Sequence, residues 1–353
     1  MSKKVVVGMS GGVDSSVTAL LLKNQGYEII GLHMKELNEA SESQDALMVT
    51  ELCKTLNIKL EIVNYSDQMQ KVKDYFISEY AKNRTPNPCV ICNKEVKFKP
   101  FIEYAEKIGA DYFATGHYAR VQENNGLYYL KKGLDIEKDQ SYFLNQLSQY
   151  QLSKALFPLG ELTKPQVRQI AEQNNLISAH KKDSFDVCFV GSQKFKDFMK
   201  QNYPEKSGNI VDIDTNKIVG KHNGISKYTF GQRKGLGVGG KKDSIGRWFV
   251  VKKDLKSNTL FVSTNEEKHL FAKSLISTNF NWIPNKPEKD NFECFAKIRY
   301  RQLDQKARVS ILDNGVKVQF ETLQRAISVG QYVVLYDAQE NCLGGGVIEE
   351  ICN

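Results

Sequence analysis

Three β-branched residues in succession, Val5, Val6 and Val7, lead into a short glycine-rich turn, after which Val17, Leu20 and Leu21 recur at helical spacing. That pattern predicts a buried strand, a tight turn and a helix that stops near Gly26. The apolar period keeps switching down the next hundred residues. Stretches 27–33 and 60–64 read as strands, and 43–56 and 66–82 as helices, the latter with Met69, Val72, Tyr75, Phe76 and Tyr80 on one side. A helix over 100–108 and a strand over 111–115, ending at Gly116-His117, continue the alternation, and Thr163 with Pro165 opens a further helix. Strands alternating with helices predict an α/β fold with a doubly wound parallel sheet. Near residue 205 the pattern changes. Residues 208–246 are rich in glycine, and from Trp248 onward short alternating runs at 249–251, 259–262, 292–298, 307–311 and 332–336 read as antiparallel strands. The expected division is an α/β domain over 1–205, a small central domain over 206–265 and a C-terminal antiparallel β-barrel over 266–353.

The first turn carries the strongest chemistry. In Gly8-Met9-Ser10-Gly11-Gly12-Val13-Asp14-Ser15-Ser16 the glycine pair lets the backbone turn and approach a ligand without a Cβ in the way. Asp14 or one of the serines is expected to cap the helix. A strand, a glycine turn and a helix N-terminus make an anion site, because free N–H groups and the helix dipole converge there. In a parallel sheet such a turn lies at the carboxyl ends of the strands, where ligands gather. The Gly-Lys-Ser/Thr ending of a Walker A loop is absent, and so is the Gly-x-Gly-x-x-Gly dinucleotide fingerprint. Ser-Gly-Gly-x-Asp-Ser-Ser after an apolar strand resembles the pyrophosphate loop (PP-loop) of ATP pyrophosphatases, which cleave ATP between the α and β phosphates and adenylylate a substrate oxygen.

Composition narrows the setting. A chain of 353 residues with 41% hydrophobic and 25% charged residues belongs with ordinary soluble proteins. It shows no apolar run of membrane-spanning length and no signal-peptide pattern, so a cytoplasmic protein without a membrane partner is expected. A net charge of +8 is compatible with a nucleic-acid partner and equally with a lysine-rich composition. Seven cysteines, an odd number, argue against a structural disulfide framework. Cys89 and Cys92 form a Cys-x-x-Cys pair, but the second pair that a zinc ribbon needs is missing. The alternative pairs Cys92 with distant Cys188, one in a segment that Pro86 and Pro88 are expected to hold extended, the other after a Lys-Lys-Asp-Ser turn. Lys94, Lys181 and Lys182 would favour thiolates there. Cys53, Cys294 and Cys342 suit buried packing positions, and Cys352 no role.

The stretches GMSGGVDSS, TPNPCVICNKEVKF, ATGHYAR, KDQSYFL, KKDSFDVCFVG, YTFGQRKGLG, KIRYRQ and GGGVI occur in this order over nearly the whole chain. Together they resemble the bacterial tRNA-specific 2-thiouridylases, enzymes that replace oxygen by sulfur at the wobble uridine of certain tRNAs. The resemblance implies that residues 8–15 hold the phosphates of ATP, with Met34 and Gly116 at the adenosine and Mg2+ on the pyrophosphate. Asp14 would orient the phosphates or the metal. It implies a Cys92 nucleophile and a Cys188 persulfide carrier, loaded by a sulfur-relay protein, the two closing a disulfide as sulfur is released. Cys92 attacking the activated carbon directly is the other order of events. Asp183 is a further candidate in the same site, with turn capping as its ordinary alternative.

For the anticodon loop the resemblance implies contacts from Asn87, Pro88 and Cys89 around the splayed wobble base, and from His117, Lys138, Asp139, Gln140, Arg299, Tyr300 and Gln331. Many relatives carry Asp where this chain has Cys89. The change leaves three cysteines, Cys89, Cys92 and Cys188, that could converge on an iron–sulfur cluster. Two other functions stay open on the residues alone: an ATP-dependent ligase acting on a small metabolite, and a tRNA-binding protein with no catalysis.

Overall fold

The computed structural model describes residues 2–35, 44–182, 195–203, 205–238 and 246–352. The alternation seen in the sequence is built as β1 (Lys4–Gly8), α1 (Val13–Asn24), β2 (Glu28–Lys35), α2 (Gln44–Thr55), β3 (Lys59–Asn64) and α3 (Ser66–Ala81). Val5, Val6 and Val7 are fully buried because β1 is covered on both faces. Val6 packs with Leu32, Phe98, Phe101 and Phe113 on one side, Val5 and Val7 with Val17, Val49 and Leu52 on the other.

Past Asn87 the chain does not stay extended. α4 (Pro88–Ile91), a π-helical stretch (Cys92–Phe98) and α5 (Lys99–Lys107) form one continuous helical run. The reason is local. A proline restricts the residue before it, and Pro88 occupies the first helical turn, where its missing N–H costs nothing. So only the segment up to Asn87 is extended, and Cys89 and Cys92 are helical.

β4 (Tyr112–Ala114), the hairpin β5 (Ala119–Asn124) and β6 (Leu127–Lys132), α6 (Gln149–Lys154), β7 (Ala155–Leu156) and α7 (Lys164–Gln173) complete the domain. Its sheet is wholly parallel in the order β3-β2-β1-β4-β7. The order reverses between β1 and β4, which opens a crevice at their carboxyl ends.

α8 (Phe195–Asn202) precedes a four-stranded sheet of β8 (Ser207–Asp212), β9 (Ile218–Asn223), β10 (Phe249–Asp254) and β11 (Thr259–Ser263). After α9 (Glu266–Leu270) come β12 (Phe271–Trp282), β13 (Asn291–Lys297), β14 (Gln305–Leu312), β15 (Gly315–Arg325), β16 (Tyr332–Tyr336) and β17 (Cys342–Cys352), which close an antiparallel barrel. β16 is buried on both faces. Val333 and Leu335 fill the barrel, while Tyr332, Val334 and Tyr336 join the core of the α/β domain. Arg84 adds an ion pair across the same seam, 2.5 Å from Glu79 and 2.5 Å from Glu349. Barrel and α/β domain therefore share one core.

Candidate active site

A cavity of about 370 Å³ opens at the carboxyl ends of β1, β2 and β4. Gly8, Met9, Ser10, Asp14 and Ser15 form one wall, and Leu32, His33 and Met34 of β2 another. Lys97, Phe101, Gly116, His117 and Gln140 close the remaining sides. Of the loop residues expected at ATP, Gly11, Gly12 and Val13 stand behind the wall, shaping the turn and the helix start rather than lining the cavity. Gly11 has φ +72°, a left-handed value that favours glycine. Gly116 approaches the loop so closely that a Cβ on it would lie 2.9 Å from that of Asp14.

No side chain caps α1, contrary to the sequence expectation. Its N-cap is Gly12, and Asp14, Ser15 and Ser16 are inside the first turn. The hydroxyls of Ser15 and Ser16 donate backward to the Gly12 carbonyl, at 3.1 and 2.9 Å, and Ser15 Oγ accepts from the Ser10 amide at 3.2 Å, so both are engaged with the loop and neither caps the helix start. The helix start thus keeps its N–H groups for an anion.

Cations surround this turn, and the most deeply buried of them was not legible in the sequence. Lys164, at the start of α7 and 7% exposed, places its Nζ 2.7 and 2.8 Å from the two oxygens of Asp14. The Tyr118 hydroxyl donates to the same carboxylate at 2.8 Å. Lys181 donates to the Gly11 carbonyl at 3.3 Å and pairs with Asp45 at 2.7 Å, so it serves the loop. Lys97 lines the cavity itself, while Lys164 and Lys181 hold the carboxylates of Asp14 and Asp45 on its wall.

His117 lines the cavity, 9% exposed, between the rings of Phe98 and Phe157. Its Nδ1 is 2.6 Å from the Thr115 hydroxyl. Burial, with a smaller contribution from Lys97, holds its pKa well below the ordinary histidine value, so the ring is neutral.

Cys92 opens the π-helical stretch and is 2% exposed. It is packed with Met69, Val72 and Phe76 of α3, with Val96, and with Phe198 of α8. Met34, on the cavity wall, rests against the same cluster, which puts Cys92 one layer behind the cavity. Cys89, one helical turn earlier, is half-buried. Cys188 and Asp183 lie outside the described residues. Among the described residues no group of three or more His, Cys, Asp or Glu is placed to hold a metal ion.

The residues expected at tRNA come together in two groups. Asn87 and Gln331, 244 positions apart, meet at 3.4 Å, and the Gln331 amide also donates to the carbonyls of Thr85 and Pro86 at 2.9 and 3.3 Å. This group lies at the seam between the start of α4 and the barrel, with Pro88 half-buried beside it. In the second, the Tyr300 hydroxyl donates to the Lys138 carbonyl at 3.3 Å, and its ring lies 4.4 Å from that of Phe143. Arg299 is exposed and donates to the Ala326 carbonyl at 2.5 Å. Asp139 is 5% exposed and accepts from the amides of Gly133 and Ser141, both at 3.1 Å, and from the Ser141 hydroxyl at 3.0 Å. Its carboxylate is an internal hub and not a surface contact. Gln140 exchanges hydrogen bonds with the Tyr118 backbone, at 2.8 and 3.1 Å, and lines the cavity, linking this group to the glycine loop.

Family models match three successive parts of the chain: a "tRNA methyl transferase HUP domain" over residues 3–192, a "tRNA methyl transferase PRC-barrel domain" over 196–264 and an "aminomethyltransferase beta-barrel domain" over 272–348. A protein of Bacillus cereus named tRNA-specific 2-thiouridylase MnmA is 49% identical over 99% of this chain and 95% of its own length. One of Bacillus anthracis with the same name is 48% identical over the same shares. Among solved structures, the U34-tRNA thiolase NcsA of Methanococcus maripaludis is 22% identical, with a TM-score of 0.36 over 57% of this chain and 68% of its own, a likeness too remote to bear on function.

Proposed function

The chain belongs to the family of tRNA-specific 2-thiouridylases, and on that premise we propose that it uses ATP to adenylylate O2 of the wobble uridine of tRNA and then delivers sulfur from a cysteine persulfide, giving 2-thiouridine, AMP and pyrophosphate. The observation that carries this reading beyond the family is the uncapped start of α1 beside a cavity that carries Lys97 and also has an apolar side. Methyl transfer, the chemistry in the name of the matched domain model, moves no phosphate and would not call on the uncapped helix start.

The first-turn amides of α1, with Lys164 and Lys181 around them, take the phosphates, and Met34 and Gly116 flank the adenosine. Asp14 and Asp45, the carboxylates on the cavity, would hold a Mg2+ ion, which would supply positive charge to offset that of the departing pyrophosphate. Uridine O2 attacks the α-phosphorus, the O–P bond to pyrophosphate breaks, and the uracil N3 proton leaves. AMP is now the leaving group on C2. The outer sulfur of a Cys188 persulfide attacks C2 and expels AMP. The Cys92 thiolate then attacks the Cys188 sulfur, forming a Cys92–Cys188 disulfide and leaving the outer sulfur on C2, while N3 regains a proton. The two thiols supply the electron pair that converts persulfide sulfur to the sulfide level, so an external dithiol must reset the enzyme. Asn87, Pro88, Gln331, Lys138, Arg299 and Tyr300 frame the path of the anticodon loop, and a sulfur-relay protein in the cytoplasm loads Cys188.

The test is a single turnover with protein, ATP, Mg2+, a persulfide donor and unmodified tRNA. Nucleoside mass spectrometry should find 2-thiouridine, matched one for one by AMP. AMP without a thiolated nucleoside would point to another acceptor, as in a ligase. Bound tRNA with neither product would leave only a binding protein.

A further inference from the structure

We propose that His33 reads the nucleoside: its Nε2 accepts a hydrogen bond from a donor group on the nucleoside half of ATP, either a ribose hydroxyl or the adenine 6-amino group. The inference rests on the assignment of the cavity to ATP. It starts from how β2 meets the glycine loop. The Met9 amide donates to the Leu32 carbonyl at 2.8 Å, and the next side chain, His33, folds back on the same loop residue with Nδ1 2.8 Å from the Met9 carbonyl. A carbonyl only accepts, so Nδ1 carries the proton, and in the neutral imidazole Nε2 presents a lone pair.

That lone pair is stranded. His33 is 6% exposed, and its Nε2 is buried without a hydrogen-bond partner. Buried polar atoms in folded chains are nearly always paired, and an orphan beside a cavity marks a group whose partner arrives with a ligand. His33 lines the cavity at the end of β2 next to Leu32 and Met34, with Phe101 also on the cavity, whereas the uncapped helix start belongs to the glycine loop. Apolar side chains suit a nucleoside and the loop suits its phosphates, so the orphan acceptor belongs to the nucleoside end. Phosphate oxygens have no proton to give it, but ribose hydroxyls and an exocyclic amine do.

ATP affinity of the full chain, measured by calorimetry without tRNA, tests this in the unaltered protein, His33→Asn and His33→Gln. The Asn amide nitrogen can keep the bond to the Met9 carbonyl but cannot reach the position of Nε2, whereas Gln carries an acceptor that far. His33→Asn should bind ATP about tenfold more weakly, and His33→Gln should recover most of the loss. The unaltered protein should show the same tenfold loss for one ligand among 2′-deoxy-ATP, 3′-deoxy-ATP and the triphosphate of purine riboside, which lacks the amine. That ligand identifies the donor, and His33→Asn should lose nothing further with it. Unchanged ATP affinity in a folded His33→Asn, or losses that add for all three analogues, would overturn the proposal. No ATP binding by the unaltered protein would remove the ATP assignment itself.

Discussion

The glycine loop and the helix of Cys92 lie on two sides of Met34, yet they are built in opposite ways. At the loop, backbone amides, Lys97 and an unpaired imidazole nitrogen border a cavity of about 370 Å³, and the serine hydroxyls turn back to the Gly12 carbonyl rather than capping the helix start. At the thiol, aromatic and aliphatic side chains of α3 and α8 close over the sulfur. Polar groups that need a partner hold a site open, whereas apolar ones close over what lies beneath them. The difference assigns the two half-reactions different requirements. On the proposed mechanism, adenylylation can begin in the chain as folded, while sulfur release through Cys92 requires that thiol to be uncovered first.

The sharpest way to break that contrast is to remove the cover. Phe198→Ala deletes a buried ring and should cost about 3 kcal/mol in denaturant unfolding. In the folded variant, alkylation should reach Cys92 as readily as half-buried Cys89, whereas in the unaltered protein Cys89 reacts first. ATP binding should not change. Gly116→Val attacks the other side, because its side chain would press into the backbone of Asp14 and Ser15. About 2 kcal/mol of overpacking should weaken ATP binding roughly thirtyfold and leave the Cys89 and Cys92 alkylation order untouched. The smallest effect is on pH. His117 is held neutral by burial, so below about pH 6.5 the unfolded chain takes up a proton that the folded chain refuses. Stability should therefore fall as pH falls through that window, by up to about 1.4 kcal/mol per pH unit, and His117→Gln should lose that share of the slope. Denaturant unfolding at about pH 7 and about pH 5.5 reads it.

Much of this was legible in the sequence, and the exceptions have physical reasons. The valine run, the glycine pair and the helical period of α1 are all local signals, and the strand, turn and helix follow them. The hairpin of β5 and β6 also has a local signal, Asn125-Gly126 with both φ values positive, flanked by alternating residues, which the strand pattern read from the sequence does not include. The stretch after Asn87 departs from the extended segment that the prolines bracketing Asn87 predict, because Pro88 starts a helix. Lys164 could not have been found at all. Nothing near it in the chain announces that α7 carries it to Asp14, 150 positions away. The same holds for Asp139, which a polar run suggests is exposed and which the barrel buries.

The central claim is that the nucleotide half works without the thiol half. It is tested most directly by Cys92→Ser in a single turnover with tRNA, a persulfide donor and ATP labelled at the α-phosphate. Labelled AMP should be released and the tRNA should stay joined to Cys188 through a disulfide, with no 2-thiouridine formed until an external thiol is added. If the variant releases no labelled AMP under conditions where the unaltered protein thiolates tRNA, Cys92 takes part in adenylylation and the division is wrong.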